Sequence, residues 1–206
     1  DDMTAVINDA PTKKLDIYLA IEYYLLSSIL QEENIFSLKE LNEKIQQAGI
    51  YCKVKFLKTI FNYWKIKSFI EKNKSYSDQR TDIILKKDIN EIKNLFEKRK
   101  KLCKFIIEYL LEKISTQVTS DKFVQFSVVG LFNAYKRKSQ LSLFEENISI
   151  ENIEDALLYL HRIHVLSLEG GFLVIYNSME IIRIVDAKLR YKKDDYKFLD
   201  DYYKQK

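Results

Sequence analysis

The sequence predicts a mainly α chain with small β-hairpins, arranged as two similar helical modules joined by a long helix. Three observations carry that expectation. Four glycines and a single proline among 206 residues leave few places for sharp turns, which favours long helices with short connections. Apolar residues recur at helical spacing through most of the chain. Two pairs of short β-prone runs interrupt this rhythm at corresponding places in the two halves.

Pro11 closes a polar leader, so residues 1–12 read as a linker or trimmed edge, with folding expected from Thr12 onward. Leu15, Leu19, Tyr23, Leu26 and Leu30 then share a broad face of a helix over 13–30. Ser37 and Glu40 form a capping box, in which hydroxyl and carboxylate satisfy amides that a helix leaves unpaired, and Gly49 supplies a left-handed stop. A second helix therefore spans 38–48. The third, KVKFLKTIFNYWKI, sets Phe56, Ile60 and Tyr63 on one face with Leu57, Phe61 and Trp64 beside them. Two β-prone runs, 68–71 and 81–85, flank a polar tip and predict a hairpin. Three helices, the last two tightly connected, followed by a β-hairpin make the order of a winged-helix domain, expected over 13–87.

Asp88 opens a long connecting helix over 88–118, whose apolar stripe runs through Ile92, Phe96, Cys103, Ile107, Leu110 and Ile114. Arg99 interrupts this stripe, which predicts exposed early turns. A short β-like VQF leads to Ser127 as an N-cap and a helix to residue 138. ISIENIEDALLYLHRIHV is a further helix, and LSLEGGFLVIY, with Gly170-Gly171 as a hairpin turn, repeats the ending of the first half. A second winged-helix domain is expected over 119–184, with Ser178 capping a helix and a helical tail over 185–206. Shifting the first half by 97 residues pairs Phe56 with Ile153, Ile60 with Leu157, Tyr63 with Leu160, Ile66 with Ile163 and Phe69 with Leu166. The reading is tandem winged-helix domains joined by a long helix.

Charge separates the halves. Residues 1–50 carry 4 basic and 9 acidic side chains, 51–104 carry 16 and 6, and 105–206 carry 14 and 15, so the positive potential is concentrated in the middle segment. Such a field suits a polyanion, because each phosphate neutralised by Lys or Arg releases condensed counterions. Lys53, Lys55, Lys58, Thr59, Asn62 and Lys65 lie away from the apolar face of the third helix, a mixture suited to phosphates and base edges. The first wing adds Lys72, Lys74 and Arg80 around Tyr76, whose ring could stack on an unpaired base. The matching helix of the second half instead places Glu151, Glu154 and Asp155 outward, where phosphates are repelled. A smaller basic spot remains at Lys136, Arg137 and Lys138. DNA is the expected partner of the first module, and a protein partner that of the second.

Other chemistry finds little footing. No GxxxxGK[ST] occurs, and Gly170-Gly171 precede a strand, whereas a phosphate cradle follows one and opens a helix. Asp194-Asp195 and Asp200-Asp201 read as solvated pairs in a Tyr-rich tail, and His161 and His164 as structural or surface histidines. Cys52 and Cys103 lack metal or disulfide spacing and are expected as buried thiols in a reducing, cytoplasmic setting. No apolar run approaches the roughly 18 to 20 residues of a membrane span, and the N-terminus lacks the order of a signal peptide. No catalytic residue, cofactor or metal ligand is expected within the segment.

GGFLVIYNSMEIIRI (170–184) followed by LRYKKDDYKFLDDYYKQK (189–206) resembles a segment of large bacterial RecQ family ATP-dependent DNA helicases beyond their motor domains. The similarity is most specific over 165–206; the earlier part matches as winged-helix-like, with NDAP before the first helix. The resemblance implies an excised accessory region, a parent that hydrolyses ATP with a motor absent here, and a winged helix that grips or splits duplex DNA. Two separated cysteines cannot supply that family's four-cysteine zinc module, and a tandem arrangement departs from its usual single winged domain. By position alone, Tyr76 or Phe172 would take the place of the strand-separating aromatic. The alternative, from a different class, is a tandem winged-helix scaffold for protein interaction or dimerisation.

Overall fold

Strand β1 (Met3–Ile7) precedes helix α1 (Pro11–Tyr24), which Pro11 opens at a position where its missing amide hydrogen is not needed. The computed structural model describes residues 3–7, 10–29, 35–74, 81–116, 123–140 and 147–169. A π-helical stretch, Leu25–Ile29, continues α1, and a short strand β2 (Ile35–Phe36) leads to α2 (Leu38–Gln47). The capping box forms as expected. Glu40 N–H donates to Ser37 Oγ at 3.1 Å, and Ser37 N–H donates to Glu40 Oε2 at 3.4 Å. Gly49, at φ +82°, ends the helix in the left-handed region that glycine enters without a Cβ clash. Helix α3 (Val54–Ile66) follows, then the antiparallel pair β3 (Ile70–Lys74) and β4 (Thr81–Leu85).

Helix α4 (Ile89–Ser115) is capped by Asp88, whose Oδ2 accepts from Asn90 N–H at 3.0 Å. Strand β5 (Phe123–Phe126) and helix α5 (Val128–Gln140) come next, with Ser127 Oγ accepting from Gly130 N–H at 3.0 Å. A Cβ on Gly130 would lie 2.7 Å from that hydroxyl, so a larger residue there would make the serine side chain shift. Helix α6 (Ile150–Arg162) and strand β6 (Leu166–Glu169) complete the described elements. The Gly170-Gly171 turn, Phe172, the Ser178 cap and the 185–206 tail lie outside the described residues.

The chain divides into two units. The first comprises Asp9–Lys101 with Arg162–Val165, and the second Asp1–Asn8, Leu102–His161 and Leu166–Lys206. The division falls within α4, between Lys101 and Leu102. The first unit runs helix, short strand, two helices and two strands, with sheet order β2-β4-β3. Its β3–β4 register sets Ile70 opposite Leu85 and Lys74 opposite Thr81.

The second unit's sheet has the order β5-β1-β6. Residues 1–12, expected as a linker, thus contain a central strand. Ala5 lies opposite Val124 on one side and Leu168 on the other, and Ala5 and Ile7 are buried. The slot that β4 fills in the first sheet is filled in the second by the N-terminus of the chain. Alternation in MTAVI is too short to announce a strand, and only the two neighbouring strands make its amides and carbonyls pair.

The two halves correspond at an offset that differs from the expected one by a single residue. Ser68 (φ 57°) and His164 (φ 60°), 96 residues apart, hold the same left-handed position between helix and strand. At that offset Leu57, Ile60, Phe61, Tyr63 and Trp64 match Ile153, Ala156, Leu157, Tyr159 and Leu160, all buried. The expected offset of 97 instead matched half-buried Phe56 and Ile66 with buried residues.

Arg99 is a second correction: it is buried, not at the start of an exposed stretch. Its Nη2 donates to Glu22 Oε1 at 2.8 Å, and Trp64 Nε1 donates to Glu22 Oε2 at 2.7 Å. The guanidinium lies 4.4 Å from the Phe96 ring centroid and 5.6 Å from that of Tyr63. Phe96 in turn meets Tyr23, Trp64 and Phe69 at centroid distances of 5.9, 5.7 and 6.0 Å. One carboxylate thereby joins α1, α3 and the first half of α4.

Two outcomes follow from this packing. Removing one partner of the buried pair leaves the other charge uncompensated, so Arg99→Met is expected to lower unfolding free energy by about 3–5 kcal/mol, while Glu22→Gln/Arg99→Met, which keeps an acceptor for Trp64 Nε1, together cost less. Urea denaturation of the three proteins checks this; equal losses for single and double variants would contradict it. Ala5→Asp puts a charge at the centre of the second sheet and is expected to abolish amide-exchange protection in β5 and β6 while that of α2 persists.

Candidate nucleic-acid interface

Helix α3 has two chemically distinct faces because its apolar residues recur at helical spacing. Leu57, Ile60, Phe61, Tyr63 and Trp64 are buried, leaving Lys55, Lys58 and Asn62 exposed on the other side. Lys53 is exposed at the N-cap and Lys65 half-buried in the last turn. Thr59 is half-buried, and its hydroxyl donates to the Lys55 carbonyl at 3.1 Å. It also bonds the Tyr18 hydroxyl, whose pKa burial pushes up to about 12 while the threonine opposes the shift. Thr59 therefore faces inward more than its place in the sequence suggests.

None of Lys53, Lys55, Lys58 and Lys65 is ion-paired with a carboxylate among the described residues. Other lysines are. Lys86 meets Glu71 at 2.7 Å, and Lys138 meets Glu108 at 3.2 Å. The exposed face of α3 thus presents cations whose charge nothing described on the same surface neutralises.

Two residues that sequence reading missed join this surface. Lys14, on α1, has its pKa lowered first by burial and then by the Lys55 ammonium, and its Nζ donates to the His164 carbonyl at 3.2 Å. It lies 41 residues before Lys55, so no spacing within one helix could reveal it. Tyr51, in the turn between α2 and α3, is 54% exposed. Its ring meets Phe56 edge-on at 5.9 Å, and the Lys53 ammonium stands 5.5 Å from its centroid. An isolated aromatic in a turn carries no periodic signal; only its adjacency to the KVKFLK run could have raised it.

The wing is described only in part. Lys72 and Lys74 belong to β3, where their backbones pair with Ile83 and Thr81, while their side chains, Tyr76 and Arg80 lie outside the described residues. In the secondary basic spot, Lys138 is paired with Glu108, Lys136 lies 4.8 Å over the Phe132 ring, and Arg137 is exposed.

The offset of 96 residues makes α6 a direct contrast. Lys55, Lys58, Thr59 and Asn62 correspond to Glu151, Glu154, Asp155 and Leu158. Glu151 is exposed, as expected, but Glu154 is buried, which corrects the outward placement. Its Oε1 has no hydrogen-bond partner among the described residues, and burial, reinforced by Asp155 and then Glu151, pushes its pKa up to about 8. Glu151 is the one residue of α6 that is exposed.

His161 Nδ1 accepts from Leu168 N–H at 3.2 Å, and His164 is the exposed left-handed residue before β6. Cys52 and Cys103 are buried and not joined in a disulfide, and burial pushes the Cys52 thiol up to about 11. Among the described residues no group of three His, Cys, Asp or Glu side chains could hold a metal ion, and no helix is long and apolar enough to cross a membrane. No family model, curated protein or solved structure matches this chain.

Glu154 makes a pH prediction. A carboxyl whose folded pKa stands near 8 against 4.5 when exposed holds its proton more tightly in the folded state. Stability is therefore highest below the lower value and falls as pH rises from 4.5 towards 8. Glu154→Gln is expected to raise the melting temperature at about pH 8 and to leave it nearly unchanged at about pH 4; thermal unfolding across that range measures it. A variant that gains nothing at the alkaline end contradicts the assignment.

Proposed function

We propose that this chain is a non-catalytic, nucleic-acid-binding region made of tandem winged-helix modules, and that it grips duplex or forked DNA through α3 and the β3–β4 hairpin of the first unit. The observation that carries the reading is the cationic face of α3, with Lys55, Lys58 and Asn62 exposed and Lys53 at the helix entry. An α-helix fits the major groove, where Lys neutralises phosphates and Asn can pair with an adenine edge.

Two further points support the winged-helix reading. The first unit follows the order helix, strand, helix, helix, strand, strand, and its sheet order β2-β4-β3 puts the last strand in the middle. The second unit has the matching order up to β6, with β1 in the middle position. The resemblance of residues 165–206 to RecQ family helicases supports a parent chain that couples this region to ATP-dependent motor domains, and a place in the cytoplasm. A protein-docking role for the second unit is favoured by Leu111 and Val129, which are 41% and 47% exposed there.

Titrating the chain against labelled forked DNA at several salt concentrations tests the reading. Binding is expected to weaken with salt, and Lys55→Glu/Lys58→Glu/Lys65→Glu to weaken it by roughly tenfold or more at low salt, with a salt slope shallower by about 0.9 for each phosphate no longer neutralised. Undetectable binding at low salt, or affinity indifferent to the triple substitution, rules the reading out.

A further inference from the structure

Tyr51 is exposed yet held in place. Its ring rests on Phe56, which lies 4.9 Å from Tyr18 in the core, so three aromatic rings run from interior to surface. The ring stays more than half open, so it forgoes most of the gain of burial while still being ordered against neighbours. Lys53, over the ring, and Lys55, which lies 5.7 Å over the Phe56 ring, set cations beside it.

A fixed aromatic ring with ammonium groups on its flank is the chemistry by which proteins hold unpaired nucleotides: the base stacks and its phosphates meet the lysines. A continuous duplex keeps its base faces inside the stack and offers nothing to Tyr51. An unpaired tail does.

We propose that Tyr51 is a base-stacking residue that makes the α3 surface favour DNA with a single-stranded tail over uninterrupted duplex. This rests on the proposed nucleic-acid function and adds the structural feature that the surface distinguishes.

The test compares affinities of the wild-type chain, Tyr51→Ala and Tyr51→Phe for a long blunt duplex and for the same duplex carrying a tail. Stacking is worth about 1–3 kcal/mol per base, so Tyr51→Ala is expected to weaken tailed-DNA binding roughly 5- to 100-fold while duplex affinity changes less than about twofold. Tyr51→Phe keeps the ring and is expected to bind like wild type. Circular dichroism of the variants matching wild type establishes that the fold is retained; if Tyr51→Ala does not fold, Tyr51→Ser takes its place in the comparison. Equal loss on both DNAs, no loss on either, or a Tyr51→Phe defect equal to that of the alanine variant overturns the proposal. A wild-type chain that binds neither DNA overturns the underlying function and this inference with it, whereas binding that depends on Lys55, Lys58 and Lys65 but not on Tyr51 removes the stacking role alone.

Discussion

The carboxylate of Glu22 decides how the first unit is put together. It is fully buried, and it accepts from Arg99 with one oxygen and from Trp64 with the other. A buried ion pair adds little net stability compared with apolar packing, since desolvation offsets most of the attraction. Its effect here is geometric: rotating α1, α3 or α4 leaves a charge or an indole N–H without its partner. With Trp64 turned inward to reach Glu22, the opposite side of α3 must face water. The exposure of Lys55, Lys58 and Asn62 is thus tied to a contact in the core, on the far side of the same helix.

The second unit reaches a similar plan by a different route. Its central strand comes from the extreme N-terminus and pairs with both β5 and β6, so the sheet closes across more than a hundred residues of intervening chain. Such non-local pairing carries a larger loop-closure cost than the hairpin β3–β4 of the first unit. The folding of the second unit is correspondingly bound to a segment whose composition alone looks like a tether.

The two units also diverge electrostatically at matching positions. Lys55 and Lys58 in α3 stand where α6 has Glu151 and Glu154, and exposed Asn62 stands where α6 has buried Leu158. At these matching positions α3 presents a cationic face and α6 an acidic, largely covered one. Buried Glu154 shows how far this goes, since it holds a proton near neutral pH instead of projecting charge outward.

Much of this was legible in the amino-acid sequence because it depends on short-range forces. Helix periodicity, the Ser37–Glu40 box, the Asp88 and Ser127 caps, the Gly49 stop and the cationic stripe of α3 each involve residues within a turn or two of one another. Tertiary structure alone decided the rest. That Arg99 points inward, that Glu154 is buried, that Lys14 approaches Lys55 and that Met3–Ile7 forms a central strand all depend on partners far away in the chain. Periodicity reports which face of an element is apolar, but the identity of the group that will meet a given charge or strand edge is settled only when distant elements pack.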